Sequence, residues 1–276
     1  MVTLEAITLA IIQGLTEFLP VSSSGHLALG HWLFGMGGDE SELPIEFVVL
    51  VHFGTLVAVV LYYRADLAEI IRDVFRPGRE AGAGEQCGWG RRLLLLLVVA
   101  TLPAALAIAL EGPVERLLNT PWAVGLALLV TGTALLVSER VGKRTKSPEQ
   151  TTPGDALLVG CAQLAAVTPG ISRSGSTIAA GLALGFKREW SARFAFLMSV
   201  PAILAGTLFK LKDLLEQGAG GAMALYLLCG AIAAATGYVA IWLVIGAVQS
   251  RNLRWFALYC YAVGLVVVVV DLSGLA

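Results

Sequence analysis

Ten apolar segments succeed one another along the chain, at about 3–19, 25–36, 45–63, 93–110, 122–138, 155–168, 175–186, 191–209, 222–248 and 255–272. A bilayer core about 30 Å thick asks for about 20 apolar residues in a helix that crosses it. Six of the segments come close to or exceed that length. The first, second, sixth and seventh are short or interrupted by Pro, Ser and Gly. Irregular backbone at membrane depth survives only where protein or a water-filled cavity surrounds it, so these four predict half-helices folded back on one another. The pattern predicts an all-α polytopic membrane protein with six transmembrane helices plus two re-entrant helix pairs.

Composition narrows this further. The chain is 57% hydrophobic and 14% charged, against about 45–50% and 25% in soluble domains. No polar stretch is long enough to hold a soluble core, so residues 1–276 read as a single integral membrane domain. The N-terminus lacks a basic region and a small-residue cleavage site, and no removable signal peptide is expected. Cys87, Cys161, Cys229 and Cys260 lack metal-ligand spacing and read as small core fillers.

Net charge is −1 and says little about partners, and no nucleic-acid partner is expected; the placement of the charges says more. Fifteen of the 19 basic residues fall in the loops about 64–92 and 139–153 and in the short connections near 187–193 and 251–254. The opposite side holds only Arg116, Lys210 and Lys212, and its segment 37–43 carries Asp39, Glu40 and Glu42. Basic loops stay in the cytoplasm, which predicts both termini outside. The remaining basic residue, Arg173, lies at membrane depth.

The order of segments, two short and three long, occurs twice. Three crossings are an odd number, so the second half (about 153–276) enters the membrane inverted relative to the first (about 1–140). An offset of 150 residues aligns Gln13 with Gln163, Ser22 with Ser172, Ser24 with Ser174, Gly25 with Gly175 and Gly35 with Gly185. In inverted repeats the broken helices meet near the midplane and build the site there.

The polar residues gather in those broken segments. One cluster is Gln13, Glu17, Ser22, Ser23, Ser24 and His26; the other is "TPGISRSGST", Thr168 to Thr177. Ionisable groups inside a membrane are costly and functional by default. A mere Glu17–Arg173 glue between repeats would explain the charges but not the hydroxyls and glycines around them. Gly and Ser after a helix break expose backbone N–H groups where the dipole favours anions, and Arg173 adds a forked cation suited to phosphate oxygens. Gln13 and Glu17 share a helical face. Glu17 could hold a divalent cation or orient a base, and His26, three residues beyond Ser23, lies close enough to take its proton. A serine with an adjacent base and a nearby cation is a plan for phosphoryl transfer. His52 and Glu46 are candidate cavity residues. His31 reads as interfacial, Lys210 and Lys212 as snorkelling, Pro103 and Pro201 as kinks, and the Gly181-to-Gly185 spacing as close helix packing.

"QGLTEFLPVSSSGH" and "PGISRSGST" resemble the two signature motifs of the bacterial undecaprenyl-pyrophosphate phosphatases, the bacitracin-resistance membrane family. The resemblance implies an enzyme of the bacterial cytoplasmic (inner) membrane, often a homodimer. It would hydrolyse undecaprenyl pyrophosphate to the monophosphate and phosphate, recycling the lipid carrier of peptidoglycan synthesis. It implies dependence on Mg²⁺ or Ca²⁺, with Glu17 the first candidate ligand and Gln13, where the family also has Glu, a weaker one. The family's catalytic positions fall on Glu17, Ser23, His26 and Arg173. Ser22, Ser24, Gly25, Gly170, Ser172, Ser174 and Thr177 are then expected to bind phosphate at a site opening to the outer face. An activated water in place of Ser23 stays open. So does a second function class, a transporter or flippase of polyprenyl phosphate or another anionic lipid. The other membrane phosphatase superfamily, which "SSSGH" faintly echoes, is excluded because no histidine follows Ser172–Arg173.

Overall fold

The computed structural model describes residues 3–33, 43–75, 88–110, 120–217 and 222–273. Gly35, Cys87, Arg116 and the acidic segment Asp39–Glu42 lie outside them, as do the side chains of His31, Lys210 and Lys212. Among the described residues the chain folds as helices: α1 (Thr3–Phe18), α2 (Ser23–Leu33), α3 (Ile45–Tyr62), α4 (Arg64–Phe75) and α5 (Trp89–Thr101), which a 3₁₀ stretch continues over Leu102–Leu110. They are followed by α6 (Pro121–Arg140), α7 (Pro153–Ala165), α8 (Arg173–Ala183), α9 (Arg188–Gln217), α10 (Met223–Gln249) and α11 (Leu253–Leu272). Six helical stretches are long and apolar enough to cross a membrane: Ile45–Tyr62, Trp89–Leu106, Pro121–Arg140, Arg188–Leu208, Met223–Gln249 and Leu253–Leu272. This is a multi-pass helical membrane protein, and its six long helices are those the apolar pattern predicts.

The 150-residue offset holds for the elements as well as for single residues. α1 begins at Thr3 and α7 at Pro153, while α2 (Ser23–Leu33) and α8 (Arg173–Ala183) correspond at both ends. Each short pair is joined by a polar turn, and α1 also reaches α8 across the repeat boundary. The long helices enclose them, with α3 and α1 packed on α10, and α6 on α11.

Small residues set how close these helices come, as expected where lipid removes the hydrophobic drive between spans and packing decides. A Cβ on Gly54 of α3 would stand 2.1 Å from the Gly230 carbonyl oxygen of α10. The core is aromatic: Phe18 meets Phe196 edge-on at 5.7 Å, and Phe186, Trp190 and Phe194 pack mutually. The outward faces of α10 and α11 remain apolar, with Trp242, Leu265, Val266 and Val269 exposed as a lipid-facing surface requires.

Several local expectations change. The segment 93–110 is not one α-helix, because Pro103 lacks an amide hydrogen and the chain tightens to 3₁₀ geometry from Leu102 onward. Pro201 sits inside α9, which remains helical through Gln217. The loop 64–92 opens with α4, an amphipathic helix anchored by an ion pair between Asp66 and Arg193. The loop 139–153 is fastened by backbone bonds from Lys146 N to Gly185 O (2.8 Å) and Lys187 N to Lys146 O (2.9 Å). Gly181 is a close contact, 2.5 Å from Ser191 Oγ for a notional Cβ, but Gly185 forms the left-handed turn after α8 at φ +89°. Cys229 and Cys260 are buried fillers, whereas Cys161 is exposed.

Gly54→Val is expected to lower the thermal unfolding midpoint in detergent, since overpacking a tight contact costs about 1–3 kcal/mol or more. Gly246→Ala, with nothing within 4 Å of its notional Cβ, leaves the midpoint unchanged within error.

Candidate active site

Pro20 disfavours helix at the residue before it, and α1 ends at Phe18. The chain then turns through Ser22, which adopts the left-handed region at φ +73°. Its hydroxyl accepts from Gly25 N (3.4 Å) and its carbonyl from His26 N (3.2 Å), so Ser22 caps α2. Ser172 does the same for α8, accepting from Gly175 N at 3.0 Å and, through its carbonyl, from Ser176 N at 2.8 Å. Each capping hydroxyl also lies near the serine two residues on, at 3.5 Å for Ser22–Ser24 and 3.2 Å for Ser172–Ser174.

The two turns interlock. Gly170 N donates to Ser22 Oγ (3.1 Å) and Ser174 Oγ donates to the Leu19 carbonyl (3.1 Å). Thr131, on α6, braces the second turn by donating to Gly170 O (2.9 Å) and accepting from Ser172 N (3.0 Å). Gly170 holds φ +91° with Val124 O only 2.4 Å from where a Cβ would be, so no larger residue fits. A Cβ on Gly25 would lie 3.2 Å from Gly170 Cα, so the turn backbones nearly touch.

Much of the expected phosphate cradle is engaged in hydrogen bonds within the protein. The hydroxyls of Ser22, Ser172 and Ser174 hold turns together, and Thr177 Oγ1 donates back to Arg173 O at 2.8 Å. All four residues are buried, and the Gly25, Gly170 and Gly175 amides are engaged too. What remains open to an anion is Arg173, the half-buried Ser24, and the first-turn amides of Ser23, Ser24, Arg173 and Ser174. Those amides have no acceptor among the described residues.

Glu17, at the end of α1, is the centre of the reactive groups. Its Oε1 pairs with an Arg173 Nη, and its Oε2 accepts from Gln13 Nε2 (2.9 Å) and Ser23 Oγ (2.7 Å). Ser23 and Arg173 are the first residues of α2 and α8, equivalent positions of the two repeats, and both point at the same carboxylate. His52 of α3 is within electrostatic reach of Glu17, with Nδ1 2.8 Å from Val48 O. Glu46 lies instead near Tyr226.

His26 does not reach Ser23. Its Nδ1 lies 2.7 Å from Ser22 O, which can only accept, so Nδ1 carries the proton. This anchor turns the ring toward α11, where Nε2 meets the Tyr259 hydroxyl at 2.7 Å with the two rings nearly parallel. The serine's hydrogen-bond partner is Glu17. Tyr259 and Thr131 have no motif around them and escape sequence reading; a lone polar residue in an apolar span was their only signal. The geometry supplies a hydroxyl on a carboxylate, a guanidinium that can release that carboxylate for a phosphate, and two helix N-termini converging on the same place.

The profile of the bacitracin resistance protein BacA family matches residues 6–266. The undecaprenyl-diphosphatase of Rubrobacter xylanophilus is 42% identical over 270 residues, covering 96% of each chain. That of Syntrophotalea carbinolica is 42% identical over 265 residues, with 95% of this chain and 96% of the relative covered. That of Alkaliphilus metalliredigens is 38% identical over 280 residues, with 99% and 100% covered. By family profile and full-length similarity alike, the chain belongs to the bacitracin resistance protein BacA family.

Proposed function

We propose that this chain is an integral membrane phosphatase that hydrolyses undecaprenyl diphosphate to undecaprenyl phosphate and inorganic phosphate. The observation that carries the reading is the shared grip of Glu17 on Ser23 and Arg173 at the junction of the two polar turns. The isoprenoid tail lies among the lipid-facing helices while the diphosphate enters between α2 and α8. Arg173 exchanges Glu17 for phosphate oxygens, and the first-turn amides of both helices take the remaining negative charge.

Ser23 Oγ then attacks the terminal phosphorus as its proton passes to Glu17 Oε2. The bond to the bridging oxygen breaks, and undecaprenyl phosphate leaves. Water attacks the phosphoserine, the bond to Ser23 Oγ breaks, and Ser23 regains its proton from Glu17 while the water's protons leave with the inorganic phosphate. His26 stays bound to Tyr259, which holds its ring toward α11 at the edge of the site. If water attacks directly, Glu17 and Arg173 keep their roles and only Ser23 loses its covalent one.

Mg²⁺ or Ca²⁺ fits beside Glu17 as a partial protein site completed by substrate. Gln13 Oε1 is buried there without a hydrogen-bond partner, and hard cations prefer oxygen donors. Among the described residues no group of three His, Cys, Asp or Glu side chains forms a closed cage. Such an ion would neutralise charge on the phosphate oxygens. In this reading α1–α2 and α7–α8 enter the bacterial cytoplasmic membrane as re-entrant pairs from opposite sides. Both termini face outward, the site opens to the outer face, and the basic loops lie in the cytoplasm. Every group named comes from one chain, so a homodimer is not needed to complete the site.

Phosphate release from a long-chain isoprenyl diphosphate in detergent tests the assignment. Glu17→Ala and Arg173→Ala are each expected to lose about 10²–10³-fold in kcat, the range for removing a group that stabilises developing charge. Full activity in either would overturn the site. Chelation of divalent cations is expected to abolish turnover, with Mg²⁺ or Ca²⁺ restoring it. An acid-stable phosphoserine trapped at Ser23 supports the covalent route, whereas an active Ser23→Ala favours attack by water. Movement of labelled polyprenyl phosphate between leaflets without phosphate release would point to a flippase.

A further inference from the structure

A second charged centre, sharing no residue with the Glu17 site, sits where α6 ends, α9 begins and α10 gives way to α11. Glu139 accepts from both terminal nitrogens of Arg188, at 2.9 and 2.6 Å, and Arg188 also donates to Val248 O at 3.0 Å. Arg144 reaches the same carboxylate at 3.8 Å and donates to the backbone carbonyls of Ser138 and Glu139. Arg251, exposed at the end of α10, acts electrostatically on both Glu139 and Arg144. Two guanidinium groups therefore hold one carboxylate while a third acts on it electrostatically, and two positive charges are left unbalanced.

The surplus is not simply handed to water. The Arg144 and Arg188 side chains are only 16% and 11% exposed. The Nε–H of each is buried and has no acceptor among the described residues. Partial burial and then the neighbouring Arg188 push the Arg144 guanidinium below its usual range, the direction expected of an under-neutralised cation. Arg144 and Arg251 also hold left-handed backbone, at φ +53° and +59°, a region that non-glycine residues enter at a cost. Nearby, Arg254 lies over the exposed Trp255 ring at 5.4 Å, and Trp with Arg is the pairing of a membrane–water interface. The ligand chemistry missing from this centre is an oxyanion with several acceptor oxygens, delivered at headgroup level.

We propose that Arg144, Arg188 and Arg251, gathered on Glu139, form a binding site for a phosphate-bearing anion at the basic end of the bundle. The phosphate is that of an acidic phospholipid headgroup or of a free phosphate ion. Arg251 is the adjustable arm, since its side chain makes no hydrogen bond among the described residues, while Arg144 and Arg188 form the fixed floor.

The test uses the full-length protein in detergent, titrated separately with phosphatidylglycerol, with phosphatidylcholine and with inorganic phosphate. The thermal unfolding midpoint and the lipid retained in native mass spectrometry are read for each. Wild type is expected to retain phosphatidylglycerol over phosphatidylcholine. Arg251→Gln is expected to weaken that retention about fivefold, the weight of one basic residue at an acidic surface, and Arg251→Lys to restore most of it. Arg144→Gln should weaken it further. Stabilisation by inorganic phosphate that the Gln variants lose, without a lipid preference, assigns the same site to a free anion. Because Arg251 is exposed and outside the phosphatase site, Arg251→Gln should retain wild-type phosphate release, which verifies that it folds. Equal response of wild type, Arg251→Gln and Arg144→Gln to all three probes overturns the proposal.

Discussion

Glu17, buried, and Arg173, half-buried, are opposite charges in an apolar helical bundle, and neither is tolerable there alone. Removing an ion from water costs several kcal/mol unless a partner and further hydrogen bonds replace the lost solvation. The partners come from different repeats, so satisfying the charges requires the two polar turns to meet. Once they meet, the Ser22–Gly170 and Ser174–Leu19 bonds fix their spacing, and Thr131 braces them from α6. The long helices then enclose the pair at distances that Gly54 and Gly230 permit.

The duplicated turn has divided its labour by position. Ser22 and Ser172, equivalent in the two repeats, cap their helices in the same way and are buried. One residue on, at the first position of each helix, the repeats diverge: one supplies a hydroxyl and the other a guanidinium, both directed at Glu17. A helix N-terminus is a natural place for both, because its free amides and positive dipole end favour the anion that the hydroxyl would attack and the guanidinium would hold. The same folding device thus presents a hydroxyl in one half and a guanidinium in the other to one carboxylate.

Much of this was legible in the sequence because membrane physics leaves strong marks. Span length and the cost of intramembrane charges identify the six long helices and the Glu17–Arg173 meeting. The 150-residue offset, read from five residue matches, turns out to register α2 and α8 end to end. Less legible was the use of each hydroxyl. A serine in "SSSGH" or "SRSGS" can cap a helix, bridge turns or face substrate, and only the fold decides. His26 illustrates the difficulty: its spacing from Ser23 was right for contact, but the Ser22 carbonyl and Tyr259, 233 residues away, hold the ring elsewhere. The helix α4 was hidden because its apolar residues alternate with charges inside a loop already marked as basic.

Glu17 and Arg173 are expected to work as one functional unit across the repeats. A double-mutant cycle on phosphate release from a long-chain isoprenyl diphosphate tests it most directly, using Glu17→Ala, Arg173→Ala and the combined variant. Strong non-additivity is expected, with the combined variant no slower than the slower single one. Losses that multiply, as for two independent groups, would contradict it.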